Sequence, residues 1–167
     1  MGWITARERE RGGCSMTAEV IGATVRKPTV VIGTVGQDCH IVGISILRHA
    51  LEKAGYEVAF LGALTAADEF IGVARETAAD AIFVSSLYGM GRVDCADLRA
   101  KCMEAGIGDI LLYVGGVLVT DPEEWNKTER LFKGLGFDRV YAPGTKPQQA
   151  LDDLHRDLAE RAARRAQ

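Results

Sequence analysis

The chain has 167 residues, 47% hydrophobic and 26% charged, with a formal net charge of -3. One domain with a full core is expected at this length, and an acidic balance with no basic stripe gives no support to a nucleic-acid partner. No run approaches the ~18 apolar residues of a membrane span, "MGWITARERERGG" lacks a secretion signal's apolar stretch, and Cys14, Cys39, Cys95 and Cys102 show no CxxC spacing, so free thiols in a cytoplasmic protein are expected.

Residues 1–28 mix charge and glycine without a sustained period and read as a flexible extension, leaving 29–163 as the folded unit. "TVVIGTV" (29–35) is a continuous β-branched run, the mark of a strand buried on both faces. Ile44, Leu47, Leu51 and Ala54 then recur at helical spacing, with Gly55 at the expected end. "EVAFLG" (57–62) is the second strand, and Thr65 with Asp68 resembles a capping box opening a helix with Phe70, Val73 and Thr77 inward. "DAIFVSS" (80–86) is the third strand. Asp94 is placed to cap a helix whose inward stripe is Cys95, Leu98, Cys102 and Ala105, closed by Gly106; the two cysteines read as packing. "DILLYVGG" (109–116) is the fourth strand. Asp121, Pro122, Glu123 and Glu124 supply an N-cap, a first-turn proline and two acids for the next helix, which Gly134 closes. "FDRVY" (137–141) is the fifth strand, and a last helix carries Leu151, Leu154 and Leu158, with His155 flanking the stripe in solvent.

Five strands alternating with five helices predict an α/β doubly wound five-stranded parallel sheet, flavodoxin-like (Rossmann-like), in strand order 2-1-3-4-5. In such sheets ligands bind beyond the carboxyl ends of the strands. Those ends present Gln37, Asp38, Cys39 and His40; "SSLYGMG" from Ser85; Gly115, Gly116 and Val117; and "YAPGT" from Tyr141 to Thr145. No G-x-S-x-G elbow supplies a hydrolase nucleophile. "GTVGQD" is not G-x-G-x-x-G, which weighs against a dinucleotide, and the third strand ends in "VSSLYG" where a receiver domain would need a phosphoacceptor Asp. A histidine with a carboxylate two residues away suits metal ligation, because the carboxylate fixes the imidazole tautomer and raises its basicity.

Asp38-Cys39-His40-Ile41-Val42-Gly43 matches the D-x-H-x-x-G signature of cobalamin-binding domains, with S-x-L at Ser85 and Leu87 and G-G at Gly115 and Gly116 on the expected strand ends. "ADAIFVSSLYG", "DCADLRAKCMEAG", "ILLYVGG" and "DRVYAPGT" bring the chain closer to one branch, and over about residues 29–158 it resembles the small subunits of glutamate (methylaspartate) mutases.

The resemblance implies that adenosylcobalamin binds with His40 as lower axial ligand to cobalt, and that the displaced nucleotide tail enters a slot beside the sheet. Gly43 would keep the first helix clear of the tail, Ser85 would hydrogen-bond its base, Leu87 would pack beside the corrin, and Gly115 with Gly116 would allow close approach. Gln37, Cys39, Ile41 and Ser86 would flank these contacts. Val117, Leu118, Val119, Thr120 and Asp121, with Tyr141, Gly144 and Thr145, would line the remainder. Gln37, Val117 and Asp121 depart from the family's usual serine, asparagine and small residue. The implied activity is that of an isomerase interconverting L-glutamate and L-threo-3-methylaspartate: cobalt–carbon homolysis yields a 5'-deoxyadenosyl radical, and the substrate rearranges through a glycyl radical and acrylate. No catalytic residue is assigned to this chain, because substrate binding would fall to a large barrel subunit and a (β/α)8 barrel takes ~250 residues. The alternative is a corrinoid carrier or cobalamin-sensing module without mutase activity.

Overall fold

The computed structural model describes residues 26–166. Five parallel strands, β1 (Thr29–Val35), β2 (Glu57–Thr65), β3 (Ala81–Ser86), β4 (Leu111–Gly116) and β5 (Arg139–Val140), form one sheet in the order β2-β1-β3-β4-β5, the order expected from the sequence. The helices are α1 (Val42–Lys53), α2 (Ala67–Glu76), the single turn α3 (Gly91–Asp94), α4 (Leu98–Glu104), α5 (Trp125–Gly134) and α6 (Pro147–Arg165). None of them is long and apolar enough to cross a membrane. The expected extension falls outside the described residues except for 26–28, where Arg26 forms an ion pair with Asp80 at 2.9 Å.

Strand alternation sorts side chains into two cores. Val30, Ile32, Phe83 and Tyr113 pack with Leu51 of α1 and Leu154 of α6 on one face. Val31, Ile82 and Leu112 pack with Phe70 of α2, Leu98 of α4 and Phe132 of α5 on the other. All seven residues of β1 are buried, as a central parallel strand requires. The end of α1 is set by backbone bonds from Gly55 N–H to Glu52 O and from Tyr56 N–H to Leu51 O, which satisfy carbonyls the helix leaves free.

Local signals were overridden where longer-range contacts compete. Thr65 does not form a capping box with Asp68: β2 runs past Gly62 so that Thr65 pairs with Val35, and the helix starts after Ala66 without a side-chain cap. The buried face of α2 is Phe70, Ile71 and Ala74, whereas Thr77 is exposed and donates to Val73 O. Asp94 ends α3 instead of capping a long helix, and the chain restarts as α4 after Asp97; Cys95, Leu98 and Cys102 are nonetheless fully buried. Asp121 does cap, accepting Glu123 N–H at 2.9 Å, but the cap opens a 3-10 turn (Pro122–Glu124) ahead of α5. Gly134 is the last residue of α5, not its terminator; the chain turns at Leu135 and Gly136. Strands expected at 80–86, 109–116 and 137–141 are shorter at their ends. Asp80 and Asp138 still donate their backbone N–H groups to Thr29 O and Leu112 O at 2.8 Å, and turn carboxylates onto the Thr29 and Leu112 amides as well.

Candidate functional site

Asp38 is pinned from several directions where the chain leaves β1. Its Oδ1 accepts the His40 backbone N–H at 2.9 Å and meets His40 Nδ1 at 2.6 Å. Its Oδ2 accepts the Leu87 N–H at 2.5 Å, tying the loop after β1 to the end of β3. Its carbonyl accepts the Thr34 hydroxyl at 2.5 Å and the Leu64 N–H at 3.0 Å. A carboxylate only accepts, so Nδ1 carries the proton and Nε2 of a neutral ring keeps its lone pair. The side chain of His40 is 55% exposed while that of Asp38 is 0% exposed. The pair thus presents one oriented imidazole nitrogen at the carboxyl edge of the sheet.

Beside it lies a cavity of about 270 Å³ between the sheet and the α1/α6 layer. Gly43, Ile44 and Leu47 of α1 form one wall; Phe83, Ser85 and Leu87 contribute the end of β3; Gly115, Gly116 and Val117 that of β4. The far wall is the segment from Tyr141 to Pro147, with Ala150 of α6. Ser85 shares the sheet face of Phe83 and Ile32, and pairs in register with Thr34 and Gly115. Gly116 is required by two constraints: its φ is +111°, and a Cβ there would stand 2.3 Å from Ser86 O. Gly43 is required by neither, since a Cβ would meet nothing within 4 Å.

Tyr141 anchors the far wall. Its N–H donates to Val114 O at 2.8 Å, its hydroxyl lies 3.3 Å from Asp153, and its ring packs edge-on against Tyr113. Burial, then the Asp153 carboxylate, push the Tyr141 hydroxyl well above the ordinary phenol range. Burial and the hydrogen bond to Asp157 do the same for Tyr113. Both therefore stay protonated donors, and the wall is fixed before any ligand arrives.

Of the residues expected from sequence, Gly43, Ser85, Leu87, Gly115, Gly116, Val117, Tyr141, Gly144 and Thr145 meet at this cavity. Gln37, Asp38, Cys39, His40 and Ile41 are not in its lining and form the loop at the sheet edge; Cys39 is exposed. Ser86 faces the opposite side of the sheet, against Gly91. Leu118 packs on the α2/α4/α5 core, Val119 and Thr120 follow it outside the lining, and Asp121 caps the 3-10 turn. Sequence reasoning assigned Ile44 and Leu47 only to the core and passed over Lys146 and Ala150. The helical period marks such positions as inward without saying that they border a void.

A family model described as B12 binding domain matches residues 28–152. Over 134 residues, 80% of this chain and 98% of the relative, the chain is 52% identical to the glutamate mutase sigma subunit of Clostridium tetani. The chain belongs to the glutamate mutase sigma subunit family. The sigma subunit of Clostridium cochlearium is likewise 52% identical over the same shares. Among solved structures, a cobalamin-binding protein from Desulfitobacterium hafniense DCB-2 superposes with a TM-score of 0.67 at 20% identity, over 79% of this chain and 60% of that one, a likeness of fold. The B12-binding match starts at the foot of β1 and ends within α6, so it takes in the Asp38–His40 loop and every wall of the cavity.

Proposed function

We propose that this chain is the cobalamin-carrying subunit of an adenosylcobalamin-dependent glutamate mutase, acting in the cytoplasm with a separate large barrel subunit. The observation that carries the reading is the buried Asp38 carboxylate holding Nδ1 of an exposed His40 beside an apolar slot. Membership of the sigma subunit family supports both the cofactor and the partner.

The donor set fits such a group. Among the described residues no three His, Cys, Asp or Glu side chains converge on one point, so a metal taken by His40 must bring its other ligands with it, as a macrocycle does. The slot is lined mainly by carbon and offers the Ser85 hydroxyl, which suits a flat aromatic base with a hydrogen-bonding nitrogen. When bound, the cofactor supplies a cobalt–carbon bond whose homolysis starts the rearrangement. The residues of this chain hold and orient: Asp38 keeps the proton on Nδ1, His40 offers Nε2, and Gly43, Ser85, Gly115 and Gly116 shape the slot for the tail. Gln37, Cys39 and Ile41 border the ring. Residues 29–163 form the cofactor-binding unit, with Arg26 tied to Asp80 and Pro28 O accepting the Glu57 N–H at its edge; the residues ahead of Arg26 are dispensable for it.

The test combines spectroscopy and turnover. Electron paramagnetic resonance of the cob(II)alamin complex is expected to show coupling to nitrogen-labelled histidine; coupling to dimethylbenzimidazole instead removes His40 from the role. With adenosylcobalamin, glutamate and a barrel subunit, methylaspartate should form only when both proteins are present. Labelled-histidine coupling without turnover would favour the corrinoid-carrier reading.

A further inference from the structure

We propose that Tyr88, anchored by Asp94, is a positioning residue for the loop that carries His40; the proposal rests on His40 being the cobalt ligand. The Tyr88 hydroxyl donates to an Asp94 carboxylate oxygen and accepts the Gln37 backbone N–H at 3.1 Å. The residue before it, Leu87, donates its N–H to Asp38 Oδ2. Two consecutive residues past the end of β3 therefore grip two consecutive residues past the end of β1, one through a ring hydroxyl and one through a main-chain amide.

Gly36 adds an independent sign that the latch is built into the loop. A Cβ there would lie 2.4 Å from both the Tyr88 hydroxyl and Asp94 Oδ2, so the latch occupies the space a side chain would take. The φ of Gly36 is +69°, and its N–H donates to Thr65 O at 2.9 Å. The turn is thus clamped between the end of β2 and Tyr88.

Neither latch residue serves the core. Tyr88 and Asp94 are half-buried and belong to neither hydrophobic cluster, and the ladder between β1 and β3 is complete through Thr34 and Ser85 without them. What they fix is the path from Gly36 to Asp38, and with it the placement of the imidazole. Displacements of about 1 Å at such a group cost far more in function than in folding. The Asp94 carboxylate also polarises the Tyr88 hydroxyl, making its oxygen a better acceptor for the Gln37 amide.

The test uses Tyr88→Phe, which deletes the hydroxyl and keeps the ring. In the cofactor-free chain, hydrogen exchange of the Gln37 amide should quicken roughly tenfold, with the sheet amide of Leu112 unchanged. With cob(II)alamin, the dissociation constant should rise roughly tenfold and the histidine-coupled fraction of the spectrum should fall, while the melting temperature stays within a few degrees. Asp94→Ala, which removes the anchor of the Tyr88 hydroxyl while leaving Tyr88 and Gly36 in place, should reproduce both effects; it also decides the matter if the tyrosine variant folds poorly. Unchanged Gln37 exchange and unchanged cobalamin affinity in Tyr88→Phe would overturn the role of Tyr88 alone. Absence of labelled-histidine coupling in the parent protein would instead remove the ligand reading, and the positioning proposal with it.

Discussion

Asp38 and His40, two residues apart and joined at 2.6 Å, lie at opposite extremes of exposure, with the Asp38 side chain at 0% and the His40 side chain at 55%. The division separates holding from presenting. Asp38 is fixed by backbone amides from β3 and from the end of β2, so the exposed ring inherits its orientation from the sheet.

Asp38→Asn should weaken cobalamin binding by about 10- to 100-fold, the usual effect of removing a carboxylate behind a metal-bound imidazole. An amide has one acceptor oxygen and cannot serve both the Leu87 N–H and the His40 donors. Absorbance titration of the variant against the parent checks this; equal affinities would show that the carboxylate does not tune the ring.

Two glycine substitutions should separate folding from binding. Gly43→Ala adds a methyl group that meets no protein atom within 4 Å on a helix, so stability should hold or rise by about 0.5 kcal/mol, while the methyl group intrudes on the slot and affinity falls. Gly116→Ala combines a positive φ with a 2.3 Å clash against Ser86 O and should cost about 2 kcal/mol or more of stability. Urea denaturation and cobalamin titration of both variants give the four numbers needed. A destabilised Gly43→Ala, or a Gly116→Ala as stable as the parent, would contradict the geometry.

In a Cys14→Ser background, Cys39 should be the thiol that an aromatic disulfide reagent titrates in the native chain. Cys95 and Cys102 are fully buried, and burial, helped by Asp94 and Asp97, pushes the Cys95 thiol up to about 12. One equivalent should react rapidly and two more only on unfolding. Protection of Cys39 by added cobalamin would place the corrin over the loop.

The acid limb of stability should depend on Asp157. Burial alone would raise its carboxyl, but hydrogen bonds from Arg139 at 2.9 Å and Tyr113 at 2.7 Å outweigh it and hold the group below the usual value of 3.8. A depressed native value means that the contribution is fully present above the unfolded-state value and is lost as pH falls through the native one. Asp157→Asn should therefore cost about 2 kcal/mol at neutral pH, with the gap to the parent narrowing below pH ~4. Denaturation midpoints measured from pH 7 to pH 2 test the sign; a gap that widens in acid would refute it.

The parts legible in the sequence are those where one local signal faces no rival. β1 could be bounded at both ends because a β-branched run interrupted only by Gly33 leads into Gly36, and Asp38 and His40 were readable because their partnership spans two residues. Thr65 misled because pairing with Val35 took it into the sheet, and Asp94 because its partner is a tyrosine six residues earlier. The contact between Tyr88 and Gln37 spans 51 positions and follows no period, so no window reading can reach it. The cavity shares that difficulty, since its walls come from five stretches, β1 at Ile32 among them, that meet only once the strand order is realised.

Ser85 and Ser86 are chemically alike, yet one hydroxyl faces the slot and the other lies against Gly91. Their difference is a matter of parity along β3, so losing a single codon within that strand would exchange them while leaving its apolar character nearly intact. Such a chain turns Ser86 to the slot and Ser85 toward Gly91, so the slot keeps a hydroxyl while Ile82 and Phe83 are sent to each other's cores. Length changes at the opposite edge of the sheet, as in the loop between α4 and β4, leave that parity untouched. Viable insertions and deletions among descendants of this gene should therefore collect at the edge away from His40.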